Sequence, residues 1–244
     1  MTDSTTRFST RAGDYAKFRP SYPPEAVAAV LRGFDRPEVA DLGAGTGISA
    51  RLLVEAGAFV YAIEPNANMR ASLPVDERIV AVGGTAEATH LEPLSVDIVT
   101  AFQAYHWFDP VRVFAEADRI ARKRARFAAV WNERDERDAF TFEYSEAIRP
   151  FMTDDTESRR RAATIDADLE RFGWGPARVL EFTQVQSMTW EALIGRTRSA
   201  SYLPQEGPRY DEMAAILRRL FDRAAAGGEV RMALVTTVHL GERQ

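Results

Sequence analysis

The chain contains no cysteine. Disulfides and thiolate-bound metals are therefore excluded. Its three histidines, His90, His106 and His239, are widely separated, so the sequence implies no metal site. Lysine is almost absent as well. Lys17 and Lys123 stand alone against many arginines, a bias that reports GC-rich coding rather than function. No apolar run reaches the roughly 18 residues that a membrane span needs. The opening "MTDSTTRFSTRAGD" has no apolar core of a signal peptide, so the expectation is a cytoplasmic protein with no membrane partner. Positive charge is in deficit: the net charge is −5. That balance leaves no electrostatic footprint for nucleic acid. What is present is ordinary globular composition, 45% hydrophobic and 27% charged over 244 residues, enough for a sizeable core.

From about residue 37 the pattern alternates. "EVADL", "AFVYAIEP", "RIVAVGG", "VDIVTAF" and "ARFAAVWN" read as short buried strands. Between them, "ISARLLVEAG" has helical spacing closed by Gly57, and "NANMRASL" makes a short helix. "PVRVFAEADRIAR" is amphipathic, with Asp109 as N-cap and Pro110 as first helical residue. Basic residues in "RIARKRAR", 119–126, suit the end of that helix. Alternation of this kind predicts a parallel sheet with right-handed crossovers and helices on both faces. Ligands then bind at the carboxyl ends of the strands. Residues 133–175, with "ESRRRAA", read as helices forming a side wall or lid. "ARVLEFTQVQ" and "VRMALVTTVHLGE" read as late strands, and "PQEGPRYDE" as a loop before a further helix.

The stretch "VADLGAGTG" carries the chemistry. A dinucleotide fingerprint is G-x-G-x-x-G with an acid roughly 20 residues later. Here Gly43, Gly45 and Gly47 alternate, so the third glycine comes one residue early. Asp41 sits at the mouth of the turn, poorly placed for a pyrophosphate and well placed for a cationic ligand. The turn has no lysine, which excludes a Walker A site. S-adenosylmethionine matches better: it has no phosphate but offers a sulfonium, an amino group and a ribose diol. Gly43 and Gly45 allow close backbone approach, and Glu64 at the end of the second strand can accept from both ribose hydroxyls. Met69 is available to cover the adenine, and Thr85, Ala86 or Glu87 to read its amino group.

"VADLGAGTGISARLL", "YAIEPNANMR", "GGTAEA" and "VDIVTAFQAYHWFD", in this order, resemble the class I S-adenosylmethionine-dependent methyltransferases. Within them the chain is similar to the small-molecule group that includes trans-aconitate methyltransferase-like enzymes; "FSTRAGDYAKFRPSYP" resembles that group's N-terminal segment. The resemblance covers residues 7–132. It implies a Rossmann-like α/β fold: a seven-stranded, mostly parallel sheet with an antiparallel last strand, helices on both faces and an N-terminal helical lid. The expected organisation is one domain, 1–244: lid and helix at 1–36, cofactor-binding core at 37–132, helical side wall or lid at 133–175, and C-terminal strands and helices at 176–244. Carried over by motif, Asp41, Gly43, Gly45 and Gly47 hold the amino-acid end of S-adenosyl-L-methionine. Glu64 lies at the ribose, Met69, Ala86 and Glu87 at the adenine, and Gln103 beside the methionine portion, with Pro65 a further cofactor-binding residue. S-adenosyl-L-homocysteine is the implied product.

Other residues have both a functional and a plain structural reading. His106 in "QAYHWFDP" is the candidate general base, needed if the acceptor is a hydroxyl or amine; otherwise His106 and Trp107 pack the loop and Asp109 caps the helix. In "DYAKFRPSYP", Arg19 pairs with the cofactor carboxylate and Tyr15 and Tyr22 cover the sulfonium, or the segment is only an amphipathic lead-in. Tyr105, Trp107 and Trp131 join Tyr15 and Tyr22 as candidate substrate-pocket residues. The function expected is methyl transfer to a small-molecule acceptor. Alternatives are a non-catalytic cofactor-binding partner on the same fold and, disfavoured by the glycine spacing, an NAD-dependent oxidoreductase. The sequence names neither the acceptor nor the oligomeric state.

Overall fold

A computed structural model describes residues 20–153, 163–200 and 202–243. The expected lid residues Tyr15 and Arg19, and the "SRRRA" stretch, lie outside them. Among the described residues one seven-stranded sheet forms from β1 (Glu38–Leu42), β2 (Phe59–Ile63), β3 (Ile79–Val82), β4 (Val96–Phe102), β5 (Ala121–Arg134), β6 (Arg178–Met188) and β7 (Val230–Glu242). The strand order is β3-β2-β1-β4-β5-β7-β6. The first five strands pair in parallel, and β7 runs antiparallel to both β5 and β6. This is the expected fold class.

Side-chain alternation divides the core. Val39, Ile98, Ala128 and Val130 face helices Pro24–Leu31 and Ile48–Glu55. Ala40, Val99, Phe127 and Ala129 face helices Pro110–Ile120 and Ile165–Arg171. Both faces are covered, which is why β4 is buried along almost its whole length and reads as a continuous apolar run. A third cluster joins helices Ala139–Ile148, Trp190–Ser199 and Pro208–Ala224 to the start of β7. The helix Trp190–Ser199 had no counterpart in the sequence reading.

One element differs in kind from expectation. Helix Pro110–Ile120 keeps only Arg119 of the basic stretch in its last turn, and the rest of that stretch lies in the strand Ala121–Arg134. Arg122 is spent on ion pairs with Asp97 and Glu38, at 2.8 and 3.2 Å, across β4 and β1. Arg122 thus ties the starts of neighbouring strands together, while Arg119 alone of the basic stretch sits at the helix end. The expected Asp109 cap does form: its carboxylate accepts from Arg112 N at 3.1 Å.

Chain direction reverses its lateral progress at β1: β2 lies on one side and β4 on the other. The crevice beyond the carboxyl ends of β1 and β4 is the topological switch point, where open α/β sheets bind ligands. Gly43 follows β1 there and Gln103 follows β4.

Candidate cofactor-binding site

Two adjoining cavities occupy that crevice. The larger, about 190 Å³, is lined by Gly43, Gly45, Glu64, Pro65, Asn66, Met69, Thr85, Ala86, Glu87, Phe102, Gln103, Ala104, Trp107 and Phe108. The smaller, about 60 Å³, shares Gly43, Gly45, Phe102 and Gln103 with it and adds Pro20, Tyr22, Ala44, Thr46, Ile48, Ser49, Asn132 and Arg196.

The glycine turn is what opens this space. Gly43 has φ +69°, and a Cβ there would lie 2.9 Å from Ala104 Cβ. Gly47, at φ +83°, starts helix Ile48–Glu55, and its Cβ would strike Pro74 Cδ at 2.5 Å. Both positions need the left-handed backbone and the missing side chain together. Gln103 also has positive φ, at 53°, without being glycine. Its N–H donates to Val130 O at 2.8 Å and its Nε2 to Asn132 O at 2.9 Å, so β5 holds the strained turn in place.

Glu64 ends β2 inside the larger cavity. Gly45 N donates to its Oε2 at 2.9 Å and Asn66 N to its Oε1 at 2.8 Å. Burial raises its pKa, and the two backbone N–H groups and Arg70 oppose that rise. Arg70 donates to the Glu64 carbonyl at 2.7 Å. Asn66 then caps the short helix Ala67–Arg70, accepting from Asn68 N and Met69 N, which sets Met69 in the cavity wall. After β3, Glu87 accepts from Asp109 N at 3.1 Å, tying the loop that carries Ala86 to the next helix.

Several expectations are corrected. Asp41 is fully buried and lines neither cavity. Strand parity sends its side chain with Val39 toward helix Ile48–Glu55, where it accepts from Ser49 Oγ at 2.6 Å and Thr100 Oγ1 at 2.8 Å. Burial raises its pKa to about 6. It braces the turn from behind. Gly47, likewise, shapes the turn without lining either cavity. Tyr105 points into the core, 1% exposed, and donates to Asp168 Oδ2 at 2.7 Å. Trp131, on the same face as Phe127 and Ala129, packs edge-on against Tyr105 and His239. Neither lines either cavity. His106 lies half-buried in the 3-10 turn Tyr105–Trp107 with its ring beside Trp107, and lines neither cavity. The tight turn presents Trp107 to the larger cavity instead. Tyr22 does reach the site, edge-on to Phe102 at 4.8 Å.

The sequence reading missed Asn66, Thr46, Asn132 and Arg196. Asn66 had a signal in the capping pattern after Pro65. The others had none, because Asn132 and Arg196 arrive through tertiary packing. Asn132 is fixed by Gln184, which donates to its Oδ1 at 3.1 Å, while its own Nδ2 donates to Ser21 O at 3.1 Å.

The donor set suits an adenosyl sulfonium ligand. The charged residues lining the larger cavity, Glu64 and Glu87, are both acids, matched to hydroxyl and amino donors, and hostile to phosphate. Among the described residues no cluster of His, Asp and Glu could hold a metal ion, and no helix is long and apolar enough to cross a membrane.

Comparison with known proteins agrees. Residues 40–129 match the family model for a methyltransferase domain. An uncharacterized methyltransferase of Mycobacterium tuberculosis is 44% identical over 150 residues, 60% of each chain. One of Schizosaccharomyces pombe is 31% identical over 137 residues, 52% of this chain and 53% of that one. The chain thus spans about 60% of the length of the mycobacterial relatives it matches. A solved structure assigned as a type II methyltransferase from Anaeromyxobacter dehalogenans superposes with a TM-score of 0.70 at 25% identity, covering 92% of this chain and 98% of that one.

Proposed function

We propose that this chain, whose residues 40–129 match a methyltransferase domain, is a class I S-adenosylmethionine-dependent methyltransferase and transfers a methyl group from S-adenosyl-L-methionine to a small-molecule acceptor by in-line displacement. The observation that carries the reading is Glu64: a carboxylate held by Gly45 N and Asn66 N at the end of β2, facing a cavity opened by side-chain-free Gly43. Such a group is pre-set to accept from a ribose diol.

When bound, S-adenosylmethionine supplies an electrophilic methyl on a sulfonium. The chain's part is to bind, orient and exclude water. Glu64 holds the ribose. Met69, Pro65 and Trp107 enclose the adenine, with Ala86 and Glu87 at its amino edge. Gly43, Gly45 and Gln103 flank the methionine portion, and Tyr22 with Phe102 closes the far side. His106 is not assigned as a base, because the cavities do not include it. Net negative charge and the small enclosed space favour a small acceptor over nucleic acid.

Calorimetry with S-adenosylhomocysteine on metal-free protein tests the reading. Binding is expected in the wild type, and Glu64→Ala should weaken it by about 1–3 kcal/mol, the loss of charge-assisted hydrogen bonds. Absence of binding at millimolar ligand refutes the proposal. Transfer of labelled methyl to a small-molecule extract then tests turnover, and separates an enzyme from a non-catalytic binder.

A further inference from the structure

The sheet has two edges, and they are built differently. β3 is short, four residues, and Gly83 and Gly84 follow it. β6 runs for 11 residues in unbroken register with β7 on one side, and among the described residues no strand pairs with its other side. A long edge offers unpaired N–H and C=O groups to any other strand, and proteins ordinarily blunt it with proline, a bulge, lysine or shortness. β6 has no proline, no glycine, no lysine and no register shift, and its charges are Arg178 and Glu181. Its even-numbered Leu180 and Phe182 pack on the cluster built with helix Pro24–Leu31. Its odd-numbered residues lie on the opposite face, where Val179 is 46% and Val185 51% exposed.

We propose that the free edge of β6 is a dimer interface, on which a second copy of this chain adds its own β6 antiparallel about a two-fold axis at Phe182. The strand is complementary to itself in that register. A two-fold axis normal to the sheet keeps each face with itself and makes every contact occur twice. The axis at Phe182 sets Val179 opposite Val185 of the second copy, so the two exposed valines of the strand cover each other. Arg178 then lies opposite Gln186, Leu180 opposite Gln184 and Glu181 opposite Thr183, and no like charges meet. Neighbouring registers lose this fit. An axis at Glu181 sets its carboxylate against its own copy; an axis at Thr183 sets Glu181 against Val185 and Val179 against Ser187. The pairing continues the sheet from one copy into the next and removes the long edge from both. It is independent of the methyltransferase reading.

Sedimentation velocity of the full chain over micromolar concentrations is the test. The wild type should dimerise. Thr183→Lys should tighten the dimer several-fold, because each new ammonium meets Glu181 of the other copy, and high salt should remove the gain. Thr183→Glu should weaken it about tenfold by setting carboxylates opposite one another, and Val185→Lys should weaken it by setting a charge against Val179. Positions 183 and 185 are exposed, so the fold should survive, which thermal unfolding of each variant checks. Opposite signs from two substitutions at one position cannot come from misfolding. A wild type that stays monomeric at high micromolar concentration overturns the inference and leaves the edge to another occupant. A dimer unmoved by all three variants overturns it as well, since the contact would then lie on another surface. If Thr183→Lys and Thr183→Glu weaken the dimer equally, the register about Phe182 is wrong.

Discussion

Replacing Asp41 by asparagine should flatten a specific part of the protein's pH-stability curve. The Asp41 carboxyl is fully buried, and burial raises its pKa from 3.8 to about 6, against the lowering effect of the Ser49 and Thr100 hydroxyls. In the unfolded chain it titrates in the ordinary carboxylate range. The native state therefore binds this proton more tightly than the unfolded state does. The stability this gives is fully present below the unfolded pKa and is lost as pH rises through about 6. The full span is worth about 3 kcal/mol, of which about 1.4 kcal/mol falls between pH 7 and pH 5. Asparagine keeps the shape and cannot titrate. Urea unfolding of wild type and Asp41→Asn at both pH values cancels the titration of other groups by subtraction. Going from pH 7 to pH 5, the wild type should gain about 1.4 kcal/mol relative to the variant. A flat difference would show that Asp41 stays ionised in the folded chain, and the enclosed-carboxyl account of the glycine turn would fall.

Other substitutions separate site from scaffold. Gly43→Ala should cost about 1–3 kcal/mol in stability from the left-handed backbone alone, and should also weaken S-adenosylhomocysteine, since its Cβ meets Ala104 at 2.9 Å; thermal unfolding and calorimetry on one sample read both. Tyr105→Phe removes the donor to Asp168 and should lower stability by about 1–2 kcal/mol while cofactor affinity stays within about twofold, a combination that a pocket tyrosine would not give. Trp107→Ala should weaken S-adenosylhomocysteine several-fold, whereas His106→Ala should leave both binding and methyl transfer within about twofold; the reverse order would restore His106 as the active-site residue.

What the sequence made legible follows from how local each signal is. The seven strands and the glycine turn are written in short windows: β1 and β4 are largely apolar runs because both sheet faces are covered there, and the alternate glycines exist because no Cβ fits at Gly43 or Gly47. Glu64, Met69 and Glu87 follow from the same logic, since each lies at or just beyond the end of a strand and all parallel strands end on one edge. Orientation is a different matter. Asp41 and Trp131 belong to the right strands, yet one residue of parity decides whether a side chain meets a helix or the crevice. In the turn Tyr105–Trp107 three adjacent aromatic rings take three directions, to core, to flank and to cavity. Motif position alone does not separate them.

The smaller cavity was illegible for a stronger reason. Arg196 lines the same cavity as Thr46 because helix Trp190–Ser199 packs at the third core cluster, and β6 and β7 bring that cluster across from the far edge of the sheet. Asn132 and Gln184 extend the same link, both donating to the Ser21 carbonyl at 3.1 Å. The start of the described chain is thereby anchored to β5 and β6 at the mouth of the smaller cavity. No window of sequence holds these residues together. They are joined by the antiparallel insertion of β7 between β5 and β6, which places the C-terminal half beside the switch point. The larger cavity thus rests on local motifs at strand ends. The smaller rests on long-range packing, where helix Trp190–Ser199 and β5 bring Arg196 and Asn132 to one cavity.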